Sequence, residues 1–467
     1  MVEVESKQFK TNLKLKIEGK SGFLEVPENR LNPSSRKIRL KFVYLKSLAE
    51  NPTAPVVFLE GGGGRSTWQA ESKSDLSDWM EILEVADLIF LDRRGSSDES
   101  LRYTWSQKIP HDFFLSEESA NAHYRTMAKA ALQKFAASKV DISGYNVIEH
   151  AHDVNDLMNE LAIDKYSIFG FSFGSHIGMT VMKLFPDRIE KSILAGADGL
   201  DQAFNYPHYL DTYVNKLGIM IQQDASIRAK IPNFSELVHR VMKKLDENPA
   251  LVTIKNPLTK AEEEMAIGSF GLGLILRLDI DDKNDIPVIP RLVHSIDRGD
   301  YSLLTWFVQK RVVMGLGIPG AGINQQLASG ASVERWQTIQ QEADKSPFGN
   351  VVNFPFSAVK DHWIANELAI DLSRPLETEI PTLFVTGTLD CRTPIEQVDE
   401  TMQTFSGARH LKVENAGHEQ AMWDVEVFDE AIPRFLLNQK IEKENTYYSD
   451  IKFIPLEGRA KGHPSLK

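Results

Sequence analysis

The segment Gly170-Phe171-Ser172-Phe173-Gly174 constrains this chain more than any other. It follows a short apolar run, Tyr166-Ser167-Ile168-Phe169, that reads as a buried strand. The stretch after it, 175–185, reads as a helix stopped by Pro186. Strand, G-x-S-x-G, helix is the setting in which a sharp turn carries a serine with its hydroxyl exposed and the next backbone N–H free to receive a negatively charged oxygen. Glycine two positions before and after the serine relieves the clashes of so tight a turn. The pentapeptide alone arises by chance, so the rest of the chain decides its meaning.

A serine hydroxyl is a weak nucleophile until a histidine takes its proton, and that histidine needs an acid to fix its tautomer. Where a serine sits on such a turn, the chain order is serine, acid, histidine. Downstream, Pro381-Thr382-Leu383-Phe384-Val385-Thr386-Gly387 reads as another buried strand, with Asp390 just past it. Ala408-Arg409-His410-Leu411-Lys412-Val413 reads as the last strand, with Asn415-Ala416-Gly417-His418-Glu419 as the loop behind it. Asp390 and His418 thus fall at the C-terminal ends of strands, the edge where open α/β sheets bind ligands. Taken singly, Asp390 could cap a helix starting near Pro394 and His418 could be a plain loop residue. In this order behind Ser172, the three are expected to form a triad. His410 lies inside its strand and reads as structural, and Asp198, Asp201 and Glu414 are weaker contenders for the acid.

An oxyanion site needs a second donor besides the Phe173 N–H. The strand Pro55-Val56-Val57-Phe58-Leu59 runs into Glu60-Gly61-Gly62-Gly63-Gly64, whose glycines allow close approach of backbone N–H groups. Gly62 is the expected donor, with Gly63 next. A phosphate cradle fits poorly, because no Gly-Lys-Ser/Thr follows.

These residues carry a family resemblance. The chain resembles the α/β-hydrolase fold and, within it, the proline iminopeptidase and tripeptidyl aminopeptidase-like serine peptidases. Ser21-Gly22-Phe23-Leu24-Glu25-Val26-Pro27-Glu28-Asn29 is similar to that group's opening G-x-L-x-V-P-E/D stretch. The glycine loop stands where the group has G-G-P-G, with glycine at Gly63 in place of proline. Leu91-Asp92-Arg93-Arg94-Gly95-Ser96-Ser97 is similar to its D-x-R-G-x-G/S turn, and Gly387-Thr388-Leu389-Asp390 with Pro394 also matches. Phe173 departs from the Tyr or Trp of that position. The resemblance implies a Ser-Asp-His hydrolase that needs no metal or cofactor. It also implies a small peptide substrate with a free N-terminus, released as by an aminopeptidase. A carboxylesterase or lactonase with the same machinery is the rival. A ligand-binding protein on the same fold is a third reading.

Strand and helix signals alternate over residues 1–200 and again over 366–440, which predicts a mostly parallel, doubly wound sheet covered on both faces. Residues 201–365 break the rhythm, being rich in helix-period apolar positions and poor in strands, and read as an inserted helical cap. Residues 441–467 read as an extension. Of the 467 residues, 42% are hydrophobic and 25% charged, as in ordinary globular proteins. No apolar stretch approaches the roughly 18 residues of a membrane span, and no signal peptide is visible, so a cytoplasmic protein is expected. A monomer or small homo-oligomer is expected. The formal net charge of −12, with no basic stripe, argues against nucleic-acid binding. The single cysteine, Cys391, excludes an intrachain disulfide and any multi-cysteine metal site. His150 and His152 point roughly 200° apart on a helix and would not chelate together. A desolvated substrate ammonium needs a carboxylate; Asp198 is the leading candidate, ahead of Asp201 and the acids of the insert. Arg94 reads as a brace for its turn.

Overall fold

The computed structural model describes residues 1–12, 14–62, 64–105, 107–363, 368, 371–458 and 462–466. Their centre is a ten-stranded sheet. In chain order its strands are β1 (Val2–Lys10), β2 (Lys16–Pro27), β3 (Lys37–Leu45), β4 (Thr53–Leu59) and β5 (Ala86–Leu91). They continue with β6 (Tyr166–Phe171), β7 (Ile189–Ala195), β8 (Thr382–Gly387), β9 (Ala408–Glu414) and β10 (Asn445–Tyr447). Across the sheet they lie β1-β2-β3-β5-β4-β6-β7-β8-β9-β10. The pairs from β1 to β5 are antiparallel, and every pair from β5 onward is parallel. The mostly parallel, doubly wound sheet expected from the sequence is the observed one.

Burial explains the strand assignments. Every residue of β6 and β8 is buried, as continuous apolar strands in a sheet covered on both faces must be. One face carries α2 (Val147–Glu160) and α3 (Phe173–Leu184), whose Val154, Leu157 and Ile177 share a core with Ile168 of β6. Before them in the chain comes α1 (Glu117–Ala137). Asn146 starts α2, its side chain accepting the Glu149 N–H, the usual way to satisfy a helix's first free donors. On the other face Trp79 meets Phe58, Phe90 and Phe428 edge-on.

Between β7 and β8 run α4 (His208–Gln223), α5 (Phe234–Glu247), α6 (Ser269–Asp279) and α7 (Ile289–Asp297). They are followed by α8 (Ser302–Arg311), α9 (Gly320–Ser329) and α10 (Val333–Ala343). This stretch also holds an antiparallel hairpin, Ala250–Lys255 with Glu262–Ile267. Its alternating burial at Ala250, Val252 and Ile254 has period two, a signal too short to stand out among long helical patterns. The layer has its own apolar core, and α1 belongs to it: Tyr124, Met127 and Phe135 pack in one cluster with Val241, Leu276 and Phe307.

Two further differences concern the C-terminal segment. β9 is not the last strand, because β10 extends the sheet by one more. Beyond β10 the chain returns to the helical layer, where Ile454 and Leu456 join its core and the Ile454 N–H donates to the Pro287 carbonyl. His463 lies against Trp306 and Phe307 and hydrogen-bonds Asp285 at 2.8 Å. Among the described residues no helix is long and apolar enough to cross a membrane.

Candidate active site

Register brings the site together. Gly170 pairs with Leu59 on one side and Leu194 on the other, and Phe171 pairs with Ala195. Ser172 therefore leaves β6 between the ends of β4 and β7. Its backbone is at φ 54° and ψ −129°, the strained left-handed setting that a non-glycine residue rarely takes. The turn is held by the Ser172 N–H donating to Ala195 O at 2.9 Å and by the Ser175 hydroxyl donating to Ser172 O at 2.5 Å. Both flanking glycines are required by contact: a Cβ on Gly170 would lie 2.7 Å from Gly174 O, and one on Gly174 would lie 1.9 Å from Leu59 O.

Asp390 and His418 meet at the ends of β8 and β9. His418 Nδ1 lies 2.7 Å from Asp390 Oδ2. The same carboxylate accepts the backbone N–H groups of Arg392 and Thr393 and the Thr393 hydroxyl, at 2.9, 2.9 and 2.7 Å. Burial alone would raise the Asp390 pKa, but the facing His418 and these donors hold it below the ordinary carboxylate value. His418 packs against the Phe171 ring at 5.0 Å. Ser172 and His418 line one cavity of about 370 Å³, with Phe173, Gly62 and Asp198 also in its wall. Its size falls at the lower end of the roughly 300–1,000 Å³ of small-molecule sites.

The Phe173 N–H is the first of α3 and so has no partner within the helix. Gly62, in the loop after β4, lines the same cavity. The glycine pressed against the serine is, however, Gly61, where a Cβ would lie 2.7 Å from Ser172 Cβ. Gly62 has open space around it. Gly63 lies outside the described residues. The Arg93 guanidinium donates to Gly62 O at 2.7 Å and lies over the Phe173 ring, so it aims the loop from behind. Burial pulls the Arg93 pKa down to about 10, opposed by nearby Glu60.

Asp198 follows β7 into the cavity wall. Its N–H donates to the Ser175 hydroxyl at 2.8 Å, and its Oδ1 accepts from Gln397 at 3.0 Å. Desolvation raises its pKa to about 7, opposed chiefly by Arg335. Asp201 is instead committed to Ser332, accepting from its hydroxyl and backbone N–H. Arg94 is fully buried and grips Asp153 through two 2.7 Å hydrogen bonds, a brace as expected. His410 accepts or donates to Thr386 at 3.0 Å, away from the cavity. Sequence reasoning missed four charged residues of the cavity wall: Glu60, Arg277, Arg392 and Glu419. Glu419 and Arg392 adjoin singled-out residues, so proximity was a usable signal; Arg277, on α6, offered none.

Residues 54–284 match the family model described as alpha/beta hydrolase fold, and residues 361–448 match the one described as TAP-like protein. Among solved structures, Rv0554 from Mycobacterium tuberculosis is 13% identical, with 90% of this chain and 100% of that one covered, at a TM-score of 0.40. A thermophilic esterase from Thermogutta terrifontis is 14% identical, with 89% and 98% covered, at 0.39. The epoxide hydrolase CorEH is 13% identical, with 93% and 99% covered, at 0.37. Likenesses this distant say nothing about substrate. No curated protein matches the chain.

Proposed function

We propose that this chain, which has the α/β-hydrolase fold, is a serine hydrolase acting through an acyl-enzyme on Ser172. The observation that carries the reading is the Asp390–His418 hydrogen bond of 2.7 Å in the wall of the cavity that also holds the strained Ser172. His418 takes the Ser172 proton as the hydroxyl attacks the substrate carbonyl, and Asp390 holds the imidazole in orientation and balances its charge. The N–H groups of Phe173 and Gly62 receive the oxyanion. The leaving group departs with the proton from His418, and water, activated by the same histidine, frees the acid and restores Ser172. The segment between β7 and β8, whose Gln202, Asn205, Gln326 and Asn353 line the cavity, serves as the cap.

Within this class we favour an aminopeptidase. The match of residues 361–448 to the TAP-like model supports it, as does Asp198, a carboxylate in the cavity wall with no ion pair among the described residues. An ester or lactone hydrolase is the second reading, favoured by the raised pKa of Asp198, since a neutral carboxyl holds an ammonium poorly. The test compares one peptide anilide with its N-terminus free and acetylated, beside a short-chain nitrophenyl ester, with Ser172→Ala as control. Preference for the free amine supports the aminopeptidase. Ester cleavage with both anilides untouched favours the second reading, and turnover surviving in Ser172→Ala overturns the serine mechanism.

A further inference from the structure

Two arginines reach the cavity wall from different parts of the chain: Arg277 from α6 and Arg392 from the loop that carries Asp390. Between them they make one ion pair among the described residues. Asp281, whose side chain is fully buried, lies 3.2 Å from Arg392 Nη2. Arg277 makes no ion pair among the described residues; its Nε donates to Val352 O at 3.0 Å. Arg311, a third cation nearby, is already paired with Asp279. Cys391 adds no charge, since burial first, and then Asp281 and Asp390, hold its thiol protonated. Arg392 Nε is buried with no hydrogen-bond partner. Two like charges in a half-buried wall, one of them without an ion pair among the described residues and the other with a donor unused, favour an anion between them. Burial first, and then the neighbouring Arg392, lower the Arg277 pKa, whereas Arg392, despite its burial, is held above the ordinary value chiefly by Asp281.

We propose that Arg277 and Arg392 form a carboxylate-binding subsite, so that the substrate is a short chain whose leaving group ends in a free carboxylate. This rests on the hydrolase reading above and adds its substrate class. Position supports it. The leaving group takes its proton from His418, so it lies on the histidine's side of the cavity. That side includes the 390–393 loop, where the Arg392 N–H donates to Asp390 and Thr393 Oγ1 lies 3.2 Å from His418 Nδ1. Paired guanidinium groups suit a carboxylate because each presents a planar fork of donors. When the acyl–nitrogen bond breaks and His418 gives its proton to the nitrogen, the product amine leaves with its carboxylate still held by the arginines. With Asp198 and Glu419 in the same wall, the cavity offers acidic and basic groups together, as a short zwitterionic peptide requires.

The test separates binding from turnover. Calorimetry on the Ser172→Ala protein compares trialanine, trialanine amide and a peptide amide ending in glutamate, and repeats the series with Arg277→Gln and with Arg392→Gln added. Trialanine is expected to bind about ten- to a hundredfold tighter than its amide, the worth of hydrogen bonds to a charged group, and that advantage is expected to shrink in both arginine variants. Recovery of tight binding by the glutamate-ended amide would keep the subsite and assign it to a side-chain carboxylate as well as a terminal one. Equal affinity for acid and amide, no binding of either, or a preference untouched by both substitutions would overturn the subsite. Circular dichroism and thermal melts of the Arg277→Gln and Arg392→Gln proteins check that both remain folded. An acid preference in binding without any turnover by the wild type would overturn the hydrolase reading and leave the subsite standing.

Discussion

Ser172 is set at a left-handed φ of 54° that only its surroundings can impose, and the turn spends no other chemistry on the serine than its exposure. If the acyl-enzyme reading holds, Ser172→Ala lowers kcat by about 10⁶ and Asp390→Asn by about 10⁴, with circular dichroism unchanged in both; turnover rates on a single activated substrate check this. Asp198 makes a different prediction, on stability. Its folded pKa is raised from 3.8 to about 7 by desolvation, so between those values the folded protein holds a proton that the unfolded chain has lost. Stability from this group is therefore fully present below about pH 4 and declines as pH rises through 7. Asp198→Asn keeps an acceptor for Gln397 and cannot ionise. Thermal melts of the two proteins across pH 4 to 8 are expected to diverge in favour of the variant as pH rises; parallel curves would contradict the raised pKa.

At the scale of elements, close approach of loops to the elbow decides which glycines are replaceable. A Cβ at Gly174 would sit 1.9 Å from Leu59 O, a backbone atom that cannot turn aside, whereas one at Gly62 meets nothing within 4 Å. Gly174→Ala is expected to cost several kcal/mol, a strain of the kind that overpacking produces at about 1–3 kcal/mol even in flexible cores, and to reduce soluble yield. Gly62→Ala is expected to fold with a melting temperature close to wild type. Chemical denaturation of the pair checks the contrast. The turn after β5 is held in another way, by charge: Arg94 and Arg30 share Asp153, which is held well below the ordinary carboxylate range despite its burial, chiefly by Arg94. That network ties β5 to α2 behind the site and leaves Arg93 free to aim the glycine loop.

At the scale of the whole molecule, apolar packing among the described residues gathers chiefly in two clusters built on the sheet and one in the helical layer, and chain order does not predict their membership. α1 precedes the elbow in sequence but packs its Tyr124, Met127 and Phe135 in the upper layer. Hydrogen exchange followed along the chain is expected to show the α1 amides opening with those of α5, α6 and α8, as one cooperative unit; opening together with β6 and α3 would contradict this grouping. The parts readable from sequence were those written in local patterns. The apolar run 166–169, the glycines at 170 and 174, and the strand signals before Asp390 and His418 each depend on a few neighbouring residues, and from them the parallel sheet and the order of the candidate triad could be read. Local patterns also led to the expectation of an inserted helical cap over 201–365, though they hid the hairpin Ala250–Lys255 with Glu262–Ile267. Tertiary structure alone decided that Gly61 and not Gly62 abuts the serine, that α1 changes layer, that the C-terminal segment returns through Ile454 and His463, and that Arg277 and Arg392 share a wall. The physical reason is that a helix or strand is specified by the period of its own side chains, whereas the contents of a cavity depend on which surfaces happen to be buried together, and distant segments carry no mark of that meeting.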